Sequence, residues 1–79
     1  MISAYILAKV EIGEDRQVLR DIRKLPGVNK VSMTFGTYDL CIEASFETME
    51  DLDEFIFDKL RKTPKIKETV TVICSETIT

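Results

Sequence analysis

Residues 32–46 read SMTFGTYDLCIEASF, and this stretch decides the fold. On both sides of its centre, apolar and polar residues alternate with the period of two that is typical of a β-strand with one face on a core. Gly36 can adopt the positive φ of a tight turn, so the stretch predicts two strands joined as a hairpin. The connecting residues 35–39 carry aromatic rings, a hydroxyl and a carboxylate, which is more side-chain chemistry than a turn requires.

The segments on either side of this hairpin alternate in the same way. Apolar residues at every even position from 2 to 12 predict a first strand, and Val31, Met33 and Phe35 are expected to point inward from the second. In the third strand the same alternation places Leu40 and its even-numbered neighbours on one face and Cys41 on the other. A fourth strand follows Pro64, with Thr69, Thr71 and Ile73 on one side and Val70, Val72 and Cys74 on the other.

Two helices are predicted between the strands. Residues 14–25 place apolar side chains on one helical face and end at Pro26-Gly27. Residues 49–62 repeat the pattern, and Thr48 with Asp51 resembles a helix-capping pair. The stretches LPGVNKVSMT (25–34) and TPKIKETVTV (63–72) are alike, which suggests two related β-α-β halves.

The resulting order β-α-β-β-α-β predicts an α+β fold of the ferredoxin-like type, formed as one domain over residues 1–79. A four-stranded antiparallel sheet would carry both helices on one face and leave the other face bare. Tyr5, Leu7, Cys41 and Ile73 are expected to make that bare face partly apolar, and a domain this small needs additional stabilisation. We therefore predict a dimer in which two sheets pack face to face, in the manner of a dimeric α/β barrel.

Composition excludes several classes of function. The 11 basic and 14 acidic residues are mixed along the chain and give a net charge of -3, so we expect no direct contact with nucleic acid. No apolar run approaches the ~20 residues that cross a bilayer, and no membrane association is expected. Two isolated cysteines and no histidine indicate reduced thiols, a cytoplasmic location and neither a metal site nor another cofactor.

Catalysis has little support in the sequence, whereas a ligand site has more. Histidine, nucleophile motifs and phosphate-binding glycine patterns are missing, so we expect no catalytic residues and no enzyme. Asp39, Tyr38 and Gly36 offer a carboxylate for an ammonium group, an aromatic wall and an accessible backbone. A plain turn, in which Asp39 bonds the turn backbone, is the alternative. Thr69 and Thr71 present two hydroxyls on one side of the last strand, or simply fill it.

Four stretches together resemble the effector-binding domain of the Lrp/AsnC family of transcription regulators, also called the RAM domain: LPGV, FGTYDL, DLDEFIFDKL and IKETVTVI. The resemblance implies a ferredoxin-like fold, dimers formed through the sheets, and rings of eight subunits or a similar number. It also implies a small amino acid bound where dimers meet. In this chain the implied effector-binding residues are Thr34, Gly36, Thr37, Tyr38, Asp39, Thr69 and Thr71.

The resemblance has one departure and leaves alternatives. Family regulators carry an N-terminal helix-turn-helix domain, whereas this sequence starts at the first strand, so we expect a stand-alone module. Such a module would either sense an amino acid or assemble with full-length Lrp/AsnC regulators. A small dimeric α/β-barrel enzyme is a weaker alternative. Such enzymes generally use His, Trp or Asn in a deep pocket, and this chain contains no His and no Trp. An ACT-like amino-acid-binding domain would need Gly13 to replace a glycine-rich loop.

Overall fold

The chain has the predicted order of strands and helices. The computed structural model describes residues 1–79. Its strands are β1 (Ile2–Val10), β2 (Val28–Met33), β3 (Leu40–Phe46) and β4 (Ile66–Ile73). Helix α1 (Asp15–Arg23) lies between β1 and β2, and helix α2 (Met49–Glu54) continues into a π-helical segment (Phe55–Leu60) before β4.

The four strands form one antiparallel sheet in the order β2-β3-β1-β4. Both helices pack on the same face of this sheet, so the ferredoxin-like α+β fold is confirmed. Strands β2 and β4 are the two edges, and β1 pairs with both β3 and β4 near the centre. The opposite sheet face carries no layer of the chain's own structure.

The core lies between the sheet and the helices. Thirteen residues are buried, and all of them are hydrophobic. They come from alternate positions of β1 and β3 and from one side of each helix, as the two periodicities predict. Each large side chain buried in this way stabilises the fold by about 1.5–3 kcal/mol. The set comprises Ala4, Ile6, Ala8, Val10, Val18, Ile22, Leu40, Ile42, Ala44, Phe46, Leu52, Phe55 and Leu60.

Both helices are shorter than predicted, for local reasons. Helix α1 ends at Arg23 because the Leu25 amide turns back to the Ile22 carbonyl at 2.9 Å and Pro26 follows. The predicted cap of the second helix is confirmed, since the Thr48 hydroxyl oxygen accepts the Asp51 amide at 3.1 Å. Beyond Glu54 the turns widen, and they close with a 3.1 Å bond from the Arg61 amide to the Ile56 carbonyl, five residues back.

Two residues predicted to continue the strands lie outside them. Ile12 follows the end of β1 and Phe35 follows the end of β2, and both side chains are fully exposed. Ile12 lies in the turn before α1, where the Glu14 amide donates to the Glu11 carbonyl at 3.0 Å. The prediction for Phe35 was wrong because the hairpin closes early: the Thr34 amide donates to the Asp39 carbonyl at 2.9 Å. Residues 35–38 therefore leave the sheet as a loop, and alternation no longer decides where their side chains point.

The prediction that Ile73 lies on the bare sheet face is also wrong. Ile73 pairs with Ala4, which belongs to the core, whereas Val72 pairs with Tyr5. Directly opposite residues of neighbouring strands point to the same side of the sheet. Ile73 therefore faces the helix side, and the other set of β4 residues, which includes Val72, faces the bare side.

The two β-α-β halves are structurally alike, as the repeated sequence predicts. Gly27 and Lys65, each after a proline, both have positive φ, at 92° and 75°. The Gly27 carbonyl accepts the Ser45 amide, and the Lys65 carbonyl accepts the Glu11 amide, both at 2.9 Å. Only glycine fits the first position, because a Cβ there would lie 2.9 Å from Phe46 Cζ and closer still to Phe46 Cε1.

Candidate functional site

The β2–β3 loop is held in place by hydrogen bonds at both of its ends. The Thr34 hydroxyl donates to the Tyr38 carbonyl at 2.7 Å, beside the backbone bond that closes the hairpin. Gly36 has a φ of 119°, and no atom lies within 4 Å of the position that a Cβ would take. Gly36 and Thr37 are exposed at the tip. The loop is therefore a defined turn with an open tip.

Asp39 fastens this loop to the central strand. Its amide donates to the Ala8 carbonyl at 2.9 Å, and its Oδ2 accepts the Val10 amide at 2.9 Å. The plain-turn alternative assigned this carboxylate to the turn backbone, but its partner lies 29 residues away in β1. A carboxylate has two oxygens and about four acceptor positions. The Val10 bond therefore leaves Oδ1 free to accept a donor from outside the chain.

Tyr38 connects the loop to the bare side of the sheet. Lys9 places its Nζ 5.5 Å from the centre of the Tyr38 ring and 3.8 Å from Glu68 Oε2. The Tyr38 hydroxyl lies 3.5 Å from the same Glu68 oxygen, which is a long contact. Lys9 and Glu68 are register partners. The aromatic ring predicted as a wall of the site thus lies at one end of the bare face.

An open depression adjoins the loop where β1 ends. Its volume is about 450 Å³, which is within the range of small-molecule sites. Its polar lining carries both signs of charge, a combination that can match a zwitterion. These lining residues are Lys9, Glu11, Asp15, Thr37, Asp39 and Lys67.

The two predicted threonines of β4 lie apart from the loop. Thr69 pairs with Ala8 and Thr71 with Ile6, so both half-buried side chains face the helix side. Thr69 lines a second hollow of about 280 Å³ together with Arg61 and Lys67. Asp39 and Thr69 flank Ala8 of β1 from opposite sides within the sheet. The backbones of Asp39 and Thr69 are therefore separated by two strand spacings, or about 10 Å. The structure therefore groups Thr34 with residues 36–39, places Thr69 in a separate hollow, and leaves Thr71 outside both hollows.

Lys67 lines both hollows and was not among the predicted site residues. It is the extra residue of a β-bulge, because Lys9 pairs with Glu68 whereas Val10 pairs with Ile66. No signal in the sequence alone would have drawn attention to it, although the repeat aligns Lys67 with Asn29. Asn29 is likewise skipped between the pairs that Val28 and Lys30 make with β3.

The bare side of the sheet carries an apolar surface, which we call the sheet face and which consists of Tyr5, Leu7, Cys41, Val70 and Val72. The exposed fractions of Tyr5, Val70 and Val72 are 44%, 40% and 51%, although all three belong to regular strands. Ion pairs flank the surface, including Lys30–Glu43 at 3.3 Å. Cys41 and Cys74 are free and half-buried. An apolar centre with a charged rim is the usual anatomy of a protein interface.

The fold and this face define a class: small ferredoxin-like domains whose sheets are open on one side. Within that class, residues 3–79 match the family described as the Lrp/AsnC ligand binding domain. The chain belongs to this family. Neither helix combines the length and the apolar character that a membrane-spanning helix requires.

Curated relatives of the chain are regulators named for a helix-turn-helix. The HTH-type transcriptional regulator PYRAB16920 of Pyrococcus abyssi is 33% identical over 63 residues, which cover 80% of this chain and 42% of the relative. PYRAB01370 of the same organism is 31% identical over 72 residues, covering 91% and 46%. The chain thus spans less than half the length of these two relatives.

Solved structures share the fold over nearly the whole chain. The hypothetical protein PHS023 from Pyrococcus horikoshii superposes with a TM-score of 0.91 at 35% identity, covering 98% of this chain and 93% of that one. The regulator NMB0573 from Neisseria meningitidis, solved as a complex with L-Met, gives a TM-score of 0.88 at 20% identity. The match covers 99% of this chain and 52% of the regulator, and at that identity it shows the fold alone.

Proposed function

We propose that this chain senses a small amino acid for transcription regulation of the Lrp/AsnC type and acts as a homo-oligomer built from sheet-to-sheet dimers. Membership of the Lrp/AsnC ligand-binding family and the regulator relatives support the regulatory setting. The L-Met bound to the structurally similar Neisseria regulator supports an amino acid as the class of ligand.

The observation that carries the proposal is the state of Asp39. One carboxylate oxygen is held by the Val10 amide, and the other is free beside a depression of mixed charge. A carboxylate oriented in this way binds an ammonium group with little loss of side-chain entropy, because its rotamer is already set. Thr34 holds the loop, Thr37 lines the same depression as Asp39, and Gly36 and Tyr38 lie beside it in the loop.

A site that also uses Thr69 and Thr71 draws on two subunits. Within one chain β1 lies between Asp39 and these threonines, and Asp39 and Thr69 line different hollows. If the loop of one dimer meets the threonine hollow of another, both sets of groups can contact the same ligand. An effector in this position would favour larger assemblies, such as rings of dimers, by its differential affinity for them.

The sheet face is the proposed dimer surface. Tyr5, Val70 and Val72 are each about half exposed in the single chain, and packing two sheets face to face would remove them from water. The ion pairs at the rim then stay partly solvated.

A second candidate function rests on the same surface. Full-length regulators of the family would present an equivalent sheet face, so this chain can pair with them and reduce the number of DNA-binding domains in an assembly. The net charge of -3 argues against DNA binding by this chain itself. A regulatory role, in the cytoplasm and without catalysis, is common to both candidates.

The amino-acid proposal is tested by thermal unfolding against each of the twenty amino acids at millimolar concentration. A ligand at ten times its Kd stabilises the folded state by about 1.4 kcal/mol, which raises the Tm of a small domain by at least about 5 °C. Asp39→Asn should lose this rise while keeping an acceptor for the Val10 amide. Asp53→Asn, on the exposed side of α2, is the matched control and should keep it. A flat panel would refute amino-acid sensing and leave pairing with regulators as the remaining candidate.

A further inference from the structure

Lys67 occupies a special position in β4. As the extra residue of the bulge, it is displaced from the regular alternation that directs its neighbours to one face or the other. Its side chain lines the depression beside Asp39 and also the hollow beside Thr69. Bulges frequently direct a side chain toward a functional site.

Lys67 is also the cation of this region that no carboxylate neutralises. Lys9 pairs with Glu68 at 3.8 Å, and Lys65 pairs with Glu11 at 3.6 Å. Lys67 takes part in no ion pair, although it lies between Lys65 and Glu68 in the sequence. Its ammonium group is therefore available to an anion from outside the chain.

We propose that Lys67 binds the α-carboxylate of the same amino acid whose ammonium group binds Asp39, so that the depression recognises both ends of a zwitterion. This inference rests on the proposed amino-acid sensing and assigns the class of ligand more narrowly. The ligand is a free α-amino acid, because an ester lacks the carboxylate, an acylated amino acid lacks the ammonium group, and a peptide holds these two groups farther apart. Lys67 is thus a specificity residue for the unmodified backbone of the ligand.

The size and composition of the depression fit this assignment. Its volume of about 450 Å³ holds a single amino acid, and Asp39 and Lys67 supply one free group of each sign. Glu11 and Lys9 line the same space but already have partners. Asp15 lines it as well and makes no ion pair, although its Oδ1 accepts the Arg16 amide at 3.2 Å. Lys67 is thus the one unpaired cation of the depression, and a ligand without a carboxylate would leave its charge unmatched.

The test compares three forms of each amino acid that binds in the panel: the free amino acid, its methyl ester and its N-acetyl derivative. Isothermal titration with the wild-type protein should give at least about tenfold weaker binding for both modified forms. The variant Lys67→Met keeps most of the length of the side chain and removes its charge. It should weaken the free amino acid about tenfold and leave the affinity for the methyl ester at the wild-type value.

Lys62→Met is the matched control, since Lys62 is exposed and borders neither hollow. It should leave every affinity unchanged. If amino acids bind but Lys67→Met weakens the ester and the free acid equally, or weakens neither, the assignment of Lys67 is wrong while amino-acid sensing stands. If none of the twenty amino acids binds the wild-type protein, both proposals are overturned.

Discussion

Replacing Val72 with Asp should dissociate the proposed dimer while leaving the monomer folded. Val72 lies on the sheet face opposite Tyr5 and is 51% exposed in the single chain, so it makes little contribution to the core. In a two-fold symmetric dimer each interface residue occurs twice, and the substitution therefore removes two apolar contacts and adds two charges.

The size of this effect follows from the exposed fraction. Full burial of a valine side chain contributes about 1.5–3 kcal/mol, so burying the exposed half contributes about 1 kcal/mol per copy. Two copies give about 2 kcal/mol, which corresponds to a roughly 30-fold increase in the dimer dissociation constant. Desolvation of the two carboxylates adds to this value, so 30-fold is a lower bound.

Sedimentation equilibrium across a range of protein concentrations measures the dissociation constant directly, and circular dichroism checks that the variant is folded. Phe57→Asp is the matched control: Phe57 is also 51% exposed, but it lies in the helix layer against Arg61, on the other side of the molecule. This control substitution should leave the dimer dissociation constant within about twofold of the wild-type value. Equal effects of the two substitutions, or no effect of Val72→Asp, would refute the sheet face as the dimer surface.

Four further outcomes follow from the same structure. Gly27→Ala should lower the free energy of unfolding by at least about 1–2 kcal/mol, because the added Cβ meets the Phe46 ring at positive φ; a neutral result in urea denaturation would contradict the assigned backbone. Lys65→Gly should raise the free energy of unfolding by about 0.5 kcal/mol, because glycine adopts the positive φ of this position without strain. A lower free energy of unfolding would argue against the structural likeness of the two β-α-β halves. Asp39→Ala should be about 1 kcal/mol less stable than Asp39→Asn, since only Asn retains an acceptor for the Val10 amide. Equal melting temperatures of the two variants would show that this hydrogen bond does not contribute to stability. A gel-shift assay at low salt should show no specific complex between this chain and DNA, and a discrete band would overturn that expectation.

Alternation along the sequence was sufficient to predict the core of the sheet. In β1 and β3 one set of alternate residues is strongly apolar, so the buried face follows from the pattern alone. Helix α1 is equally clear, because Val18 and Ile22 are four residues apart and both are buried. The repeated Pro-containing turns also predicted the likeness of the two halves.

The orientation of β4 could not be predicted in the same way. Both of its sides carry β-branched residues, so the pattern does not indicate whether Ile73 or Val72 faces the helices. Only the register with β1 decides this point, and register between distant segments depends on the whole sheet. The bulge that displaces Lys67 is a property of this pairing and has no local signal.

The loop shows a similar division between local and long-range causes. Gly36 predicts the turn by its conformational freedom, which its φ of 119° confirms. The partner of Asp39 was not predictable, because the Val10 amide belongs to β1 and is 29 residues away in the sequence. Phe35 was placed inward by its neighbours' pattern, but the hairpin closes before that residue.

The central claim, that this chain forms sheet-to-sheet dimers that bind an amino acid, is tested most directly by native mass spectrometry of the wild-type protein at micromolar concentration with and without each amino acid of the panel. The measurement reports the number of 9.0 kDa subunits and the number of bound ligands in the same spectrum. We expect assemblies with an even number of subunits that retain one kind of amino acid. A single 9.0 kDa chain with no ligand bound under all conditions would contradict the claim.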